Sequence, residues 1–296
     1  MSYLEWWRSR FEGVAGYEGE ARDFYGITKR AYEKEGLWPV SKLITLAYYL
    51  PAYIEIAKKY FSKIFFIDAC AGCGLLKVKD RVFLGSALLA ERAKASNGRG
   101  FDKVILIDND RENAQALEKI VDKRRTEVIA GDLNKVLVGL IEQIEAEKQS
   151  HFVCFIDPEG MQEVPWSTMS KVFSSKGDII FNYMCSGVAR EIAIPNAAQS
   201  MSAFFGDDGW QRCRESPEKA ECLFRHYLSN VNAIKPSTID VMIQSDSAFH
   251  YHIIFAMKKG WERVIMSVRD KIEKVTPSVL EQLLNIHEGK QRPLFE

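Results

Sequence analysis

Short apolar runs recur through the middle of the chain, and three of them close on an acid. Ile64-Phe-Phe-Ile67 leads into Asp68, Lys103-Val-Ile-Leu-Ile107 into Asp108, and Phe152-Val-Cys-Phe-Ile156 into Asp157. Apolar, β-favouring runs bounded by turn signals are the pattern of strands buried on both faces of a parallel sheet. Glu127-Val-Ile-Ala130, ending in Gly131-Asp132, and Asp178-Ile-Ile-Phe181, ending in Asn182-Tyr183, predict two more. Helical spacing fills the gaps: from Ser86 to about Lys94, through Ala114, Leu117, Ile120 and Val121, over about 135–147, and near 166–174. Strand and helix alternating at these intervals predict a doubly wound α/β fold.

The flanks read differently. Residues 1–36 are charged and aromatic, and Gly13, Gly16, Gly19 and Gly26 limit them to short helices and loops. Trp6 and Trp7 are read as packing back onto the domain rather than forming a partner surface. Pro39 suits the first turn of a helix reaching about Lys59, which Pro51 is expected to kink or divide. Residues 184–236 are mixed and helical, with a break at Gly206-Asp-Asp-Gly209. Strands at 238–244 and 249–257, separated by Ser245-Asp-Ser-Ala248, predict an antiparallel hairpin. An amphipathic helix after Gly260 and a short one from Pro277 finish the chain. The expectation is a mostly parallel seven-stranded sheet. Its parts are a helical N-terminal extension (1–62), a Rossmann-like core (63–183), a helical insertion covering the substrate (184–236), and the terminal hairpin with C-terminal helices (237–296).

Composition adds bounds. The 296 residues, 47% hydrophobic and 27% charged, suit one large domain or one domain with an appendage. The 40 basic and 40 acidic residues cancel, so contact with nucleic acid must come from a local patch. Lys123-Arg-Arg125 is the densest basic run, read as a solvated loop. No apolar run is long enough for a bilayer and no secretory leader is recognised, so no membrane association is expected. Six cysteines do not make a disulfide scaffold, and a reducing, cytoplasmic setting is the expectation.

The chemistry gathers after the predicted strands. Asp68-Ala-Cys-Ala-Gly72-Cys73-Gly74 resembles the first motif of class I S-adenosylmethionine (SAM) dependent methyltransferases. It matches the dinucleotide fingerprint less well. The first glycine is missing, and residues 75–84 separate the loop from the next helix, for which Ser86 is the expected cap. The resemblance implies that Asp68, with Ala69 and Cys70, orients the amino-acid end of SAM while Gly72 and Gly74 pass beneath it. It also implies that Asp108, with Asn109, holds the ribose hydroxyls and that Asp132, with Leu133, holds the adenine amino group. Any one of these acids can instead cap a helix or brace a turn.

Asp157-Pro158-Glu159-Gly160 resembles the fourth motif of amino-group methyltransferases. There a carboxylate and the proline carbonyl accept hydrogen bonds from the acceptor amine, and the enzyme contributes orientation. Glu159 and Gly160 stand where that motif has a second proline and the aromatic; Glu159 could take the amine proton, and Tyr183 or Trp166 could supply the ring.

A further set is Trp38-Pro-Val-Ser-Lys42-Leu, Tyr48-Tyr-Leu-Pro51, Asp68-x-x-Ala71-Gly72, Gly85-Ser86-x-Leu88, Gly131-Asp132-x-Asn134, Asp157-Pro158-x-Gly160 and Phe255-Ala256 before Gly260-Trp261. In that order it resembles the three-Cys-motif partner family over about residues 38–268. Glu159 and Cys73 depart from its pattern, which has an aromatic and a proline there. The resemblance implies methyl transfer from SAM, to an amino group of nucleic acid or a modified nucleotide. A non-catalytic partner protein acting by association and a nucleotide-binding oxidoreductase stand as the second and third readings. Cys70-x-x-Cys73 is read as small residues beside a ligand rather than a metal site. His250 and His252, on one face of a strand, are read as partly buried sheet residues, with a pH-sensitive or metal pair as the alternative.

Overall fold

Each of the five apolar runs becomes a strand; four are almost wholly buried because helices cover both faces of the sheet, while Thr126–Ala130, at the sheet edge, is only partly buried. The computed structural model describes residues 2–17, 19, 33–34, 38–78, 81–194, 196–244 and 250–287. Its strands are β1 (Glu33–Lys34), β2 (Lys63–Asp68), β3 (Leu75–Val78), β4 (Arg81–Leu84), β5 (Lys103–Asp108), β6 (Thr126–Ala130), β7 (Ser150–Ile156), β8 (Asp178–Tyr183), β9 (Thr238–Gln244) and β10 (His250–Ala256). Its α-helices are α1 (Tyr3–Val14), α2 (Trp38–Ala57), α3 (Ser86–Arg92), α4 (Arg111–Ile120), α5 (Leu133–Ala146), α6 (Trp166–Ser174), α7 (Cys185–Glu191), α8 (Ala198–Phe205), α9 (Lys219–Ile234), α10 (Glu262–Glu273) and α11 (Pro277–His287).

Seven strands form the main sheet in the order β6-β5-β2-β7-β8-β10-β9. The first five are mutually parallel, and β10 is antiparallel to both β8 and β9. The chain leaves β2 toward β5 and β6, then crosses to β7 and β8 on the other side. That reversal opens a crevice at the carboxyl ends of β2 and β7, where sheets of this kind bind ligands. Alternate residues point to opposite faces. Phe66, Leu106 and Phe155 join α1, α2, α3, α10 and α11 in one core, while Ile67, Ile107 and Ile156 join α5, α6, α8 and α9 in the other. Among the described residues no helix is long and apolar enough to cross a membrane.

Trp6 and Trp7 are buried, as expected, on a helix that Ser2 and Glu5 cap reciprocally. Pro51 does not divide α2, which runs unbroken across it. Leu43, Leu46, Leu50, Tyr53, Ile54 and Ala57 on both sides of the proline pack into one core. Their burial, about 1.5–3 kcal/mol for each large side chain, outweighs the roughly 3 kcal/mol cost of an interior proline.

The stretch 75–84 is an antiparallel hairpin, β3–β4, against which β1 lies parallel to β3. Sequence reading assigned no strand there. The Gly85 amide donates to the Gly74 carbonyl at 2.8 Å, so the hairpin closes on itself and α3 starts beside the glycine loop. Contrary to the expectation from sequence, the insertion does not hold the glycines away from the helix, because the separation exists along the chain and not in space. Ser86 is not the cap of α3; Gly85 holds that position without a side-chain bond, and Ser86 is the first helical residue, buried.

The terminal hairpin forms as predicted, although its turn at 245–248 lies outside the described residues. Cys213 and Cys222 form a disulfide with Cα atoms 5.6 Å apart. Cys70, Cys73, Cys154 and Cys185 are free thiols.

Candidate cofactor and acceptor site

Asp68 ends β2 with no exposed surface. Its Oδ1 accepts the Cys70 amide at 3.3 Å, while Oδ2 is buried without a hydrogen-bond partner among the described residues. Burial pushes the carboxyl up to about 7. The Ser86 hydroxyl and Cys70 amide pull it back, and the charges of Asp157 and Asp108 add to the rise. A buried acceptor left unmatched costs about 1–3 kcal/mol, so this oxygen is a place where an incoming cation or donor gains most.

The two glycines of the following loop do different work. Gly74, at φ +88°, is packed: a Cβ there would lie 2.9 Å from Leu117 Cδ2 and 3.3 Å from both Ile120 and Leu88. Gly72, at φ +61°, faces open space, with nothing within 4 Å of where its Cβ would stand. Its amide donates to Asp108 Oδ2 at 2.7 Å. Asp108 Oδ1 takes the Asp110 amide at 2.9 Å and Asn113 Nδ2 at 3.2 Å. Burial raises the Asp108 carboxyl above its ordinary range despite these bonds. Asp108 thus pins the loop from the neighbouring strand, and Asn109 beside it is exposed.

Asp132 takes up the helix-cap role that was the alternative for every one of these acids. It is the N-cap of α5, and its Oδ1 accepts the Asn134 amide at 2.9 Å and Nδ2 at 3.1 Å. Leu133 is buried in the first turn. At β5 the cap of α4 is Asp110, which leaves Asp108 facing the loop.

Asp157 ends the strand beside β2, where the Ala69 amide donates to the Phe155 carbonyl at 2.9 Å. Its carboxylate is held on both oxygens, by Asn182 Nδ2 at 2.6 Å and by an ion pair with Lys42 of α2. Pro158 is buried and Glu159 exposed. The Glu159 amide donates to Glu163 Oε2 at 3.0 Å, and the Glu163 carbonyl accepts from Asn134 Nδ2 at 2.8 Å. Burial raises the Glu163 carboxyl, and the charges of Glu159, Asp108 and Asp157 add to it. The Cys70 thiol is pushed well up, first by burial and then by Asp68, Asp157 and Glu163, which places it among the three acids. Lys42, Asn182 and Glu163 received no role from the sequence. Lys42 lies 115 positions from Asp157 and Asn182 lies 25 away, beyond the reach of motif spacing.

A cavity of about 570 Å³ opens next to Asp157. Glu159–Gln162 and Asn182 line it together with Ser186, Arg190 and Tyr251. The insertion touches it through its first residues, up to Ile194; behind them α9 packs on α7, and α8 and α9 both pack on α6. Neither ring expected to replace the missing aromatic serves the cavity. Tyr183 is buried among Phe204, Phe224 and Tyr227, and Trp166 packs on Phe173 and Tyr227. The ring present is Tyr251. Burial and, after it, the charge of Asp157 push its hydroxyl well above the usual range.

Strand order, the single antiparallel reversal at β10 and the crevice define a Rossmann-like fold of the class I methyltransferase kind. No protein-family model matches the chain, and no curated protein matches it. Among solved structures, protein LPL1258 from Legionella pneumophila is similar with a TM-score of 0.52 and 14% identity, over 80% of this chain and 91% of its own. An O-methyltransferase from Bacillus cereus in complex with S-adenosylhomocysteine is 16% identical over 72% of this chain and 81% of its own, with a TM-score of 0.39. Human methyltransferase-like protein 13, also in complex with S-adenosylhomocysteine, is 11% identical over 85% of this chain and 91% of its own, with a TM-score of 0.39. At 14% identity the likeness to the Legionella protein is one of fold.

Proposed function

We propose that this protein is a SAM-dependent methyltransferase of the three-Cys-motif partner kind, acting on an amino group of nucleic acid or of a modified nucleotide. The observation that carries the reading is the unmatched, buried Asp68 Oδ2, at the head of the loop whose Gly72 faces open space and one strand from Asp157. The residues fit the cofactor by chemistry. Asp68 would accept from the ammonium end of SAM, the loop pinned by Asp108 would leave room for it, and Asp132 would face the adenine amino group. Bound SAM supplies an electrophilic methyl group. Asp157, oriented by Asn182 and Lys42, would accept an N–H of the acceptor amine and aim its lone pair. Glu159, exposed at the cavity, would take the amine proton, and Tyr251 would offer a ring to a base.

The test measures SAM binding, thermal stability and methyl transfer on wild type and Asp157→Ala, with radiolabelled cofactor and pooled cellular nucleic acids. Asp157→Ala should bind SAM within about twofold of wild type and lose transfer by about 100-fold or more, because its part is orientation. A wild type that takes up no SAM ends the reading. A non-catalytic partner role is the second reading, and the Lys42–Asp157 ion pair favours it, since an amine already occupies the carboxylate. SAM binding without transfer to any acceptor would select it.

A further inference from the structure

We propose that Cys185, His250 and His252 form a binding site for a zinc-class transition-metal ion in the wall of the acceptor cavity. The assignment stands independently of methyl transfer. Among the described residues this is the group of His, Cys and acidic side chains whose donors converge, with one ligand atom from each lying within 4.8 Å of the others. Cys70 and Cys73, the pair suggested by their spacing, are not part of it.

The topology brings the three together. β10 lies antiparallel to β8 with His252 opposite Tyr183, and continuing that register past the strand end sets Cys185 across from His250. Ser186 fixes the junction: its Oγ accepts the His250 amide at 3.0 Å and donates to the His250 carbonyl at 3.4 Å. Period-two alternation then carries the second imidazole to the same face of the strand.

The chemistry of the donor set is that of zinc. One thiolate and two imidazoles are its preferred ligands, and three protein ligands with one open position are the usual arrangement of a reactive site. Zinc–sulfur and zinc–nitrogen distances of about 2.3 and 2.0–2.1 Å place tetrahedral donors roughly 3.3–3.7 Å apart. The donors here need to close by at most about 1.5 Å, within reach of rotamer changes.

His252 supplies the independent sign of a ligand. Its side chain is 7% exposed, and its Nδ1 lies 2.8 Å from Asp240 Oδ2. A carboxylate only accepts, so Nδ1 carries a proton, and in the neutral imidazole Nε2 presents its lone pair. That Nε2 is buried and has no hydrogen-bond partner among the described residues. Phe224 stacks on the imidazole at 3.8 Å and holds its plane, while Arg269 approaches the other oxygen of Asp240 at 3.7 Å. A carboxylate bracing the far nitrogen of a histidine is the outer-sphere arrangement that orients metal ligands and raises their basicity. His250, half-buried, lines the cavity and so gives the site access to the solvent space there.

The experiment uses the full chain, stripped with chelator and titrated with Co²⁺ and then Zn²⁺. The expected result is one equivalent of cobalt, a near-ultraviolet thiolate-to-cobalt charge-transfer band, displacement by zinc, and a higher melting temperature with metal. Cys185→Ser should abolish the band. Asp240→Asn should weaken binding by about 10–100-fold. His250→Ala, at a half-buried position, should also weaken binding while keeping the far-ultraviolet circular dichroism of wild type. The Cys70→Ser/Cys73→Ser double variant should retain the band. Failure of wild type to bind cobalt, binding without the charge-transfer band, or a band that survives Cys185→Ser or is lost with Cys70 and Cys73 would each overturn the assignment.

Discussion

Replacing Gly72 by alanine separates cofactor seating from stability. Its φ of +61° lies in the left-handed well, which an L-residue enters at a cost of roughly 1–2 kcal/mol. Nothing stands within 4 Å of the new Cβ, so no clash adds to that cost. The expected loss is about 1 kcal/mol, or about 2–4 °C in melting temperature for a domain near this size. The same change at Gly74 meets Leu117 at 2.9 Å as well as a positive φ. Overpacking adds about 1–3 kcal/mol, for a total of roughly 2–4 kcal/mol. If SAM lies over Gly72, its alanine methyl occupies cofactor space, and affinity should fall at least about tenfold, equivalent to 1.4 kcal/mol. Urea unfolding and titration calorimetry on both variants read the two effects separately. A folded Gly72→Ala protein binding SAM within about twofold of wild type would refute the seat, whatever its stability.

Asp68 makes stability depend on pH with a definite sign. Its folded carboxyl titrates near 7 against an ordinary value of 3.8, so between those values the native state holds the extra proton and stability falls as pH rises. Asp68→Asn should gain on wild type across pH 4–7, by on the order of 2–4 kcal/mol; chemical denaturation giving a flat difference would contradict this. Asp132→Ala and Asp110→Ala each remove an N-cap and should each cost about 1 kcal/mol, but only Asp132→Ala should weaken SAM binding by calorimetry. Equal SAM affinities would leave Asp132 a cap and nothing more. Lys42→Met removes a pair whose side chains are 11% and 22% exposed, between surface and buried cases. It should cost about 1–2 kcal/mol and slow transfer with SAM affinity unchanged; a changed SAM affinity would place Lys42 on the cofactor side.

The sheet was written in the sequence because parallel strands covered on both faces must be continuously apolar, and five such runs are hard to read otherwise. Strand direction alone then puts Asp68, Asp108, Asp132 and Asp157 at one edge. Their individual duties were not written there. Asp108 and Asp132 close similar runs, yet one pins a glycine loop and the other caps a helix, because the choice depends on whether the next helix starts one residue or three residues on. The β3–β4 hairpin escaped notice because four-residue strands holding Lys77 and Arg81 show no clear period. Pro51 misled for the opposite reason, since a local rule yielded to the burial of a whole helix face. Lys42 and Asn182 on Asp157, Tyr251 at the cavity, the Cys213–Cys222 bond and the convergence of Cys185 with His250 and His252 were decided by tertiary structure alone. Secondary structure is a local periodicity that a sequence displays residue by residue. A site is a meeting of side chains from elements far apart in the chain, and which of them meet is fixed only when the layers pack.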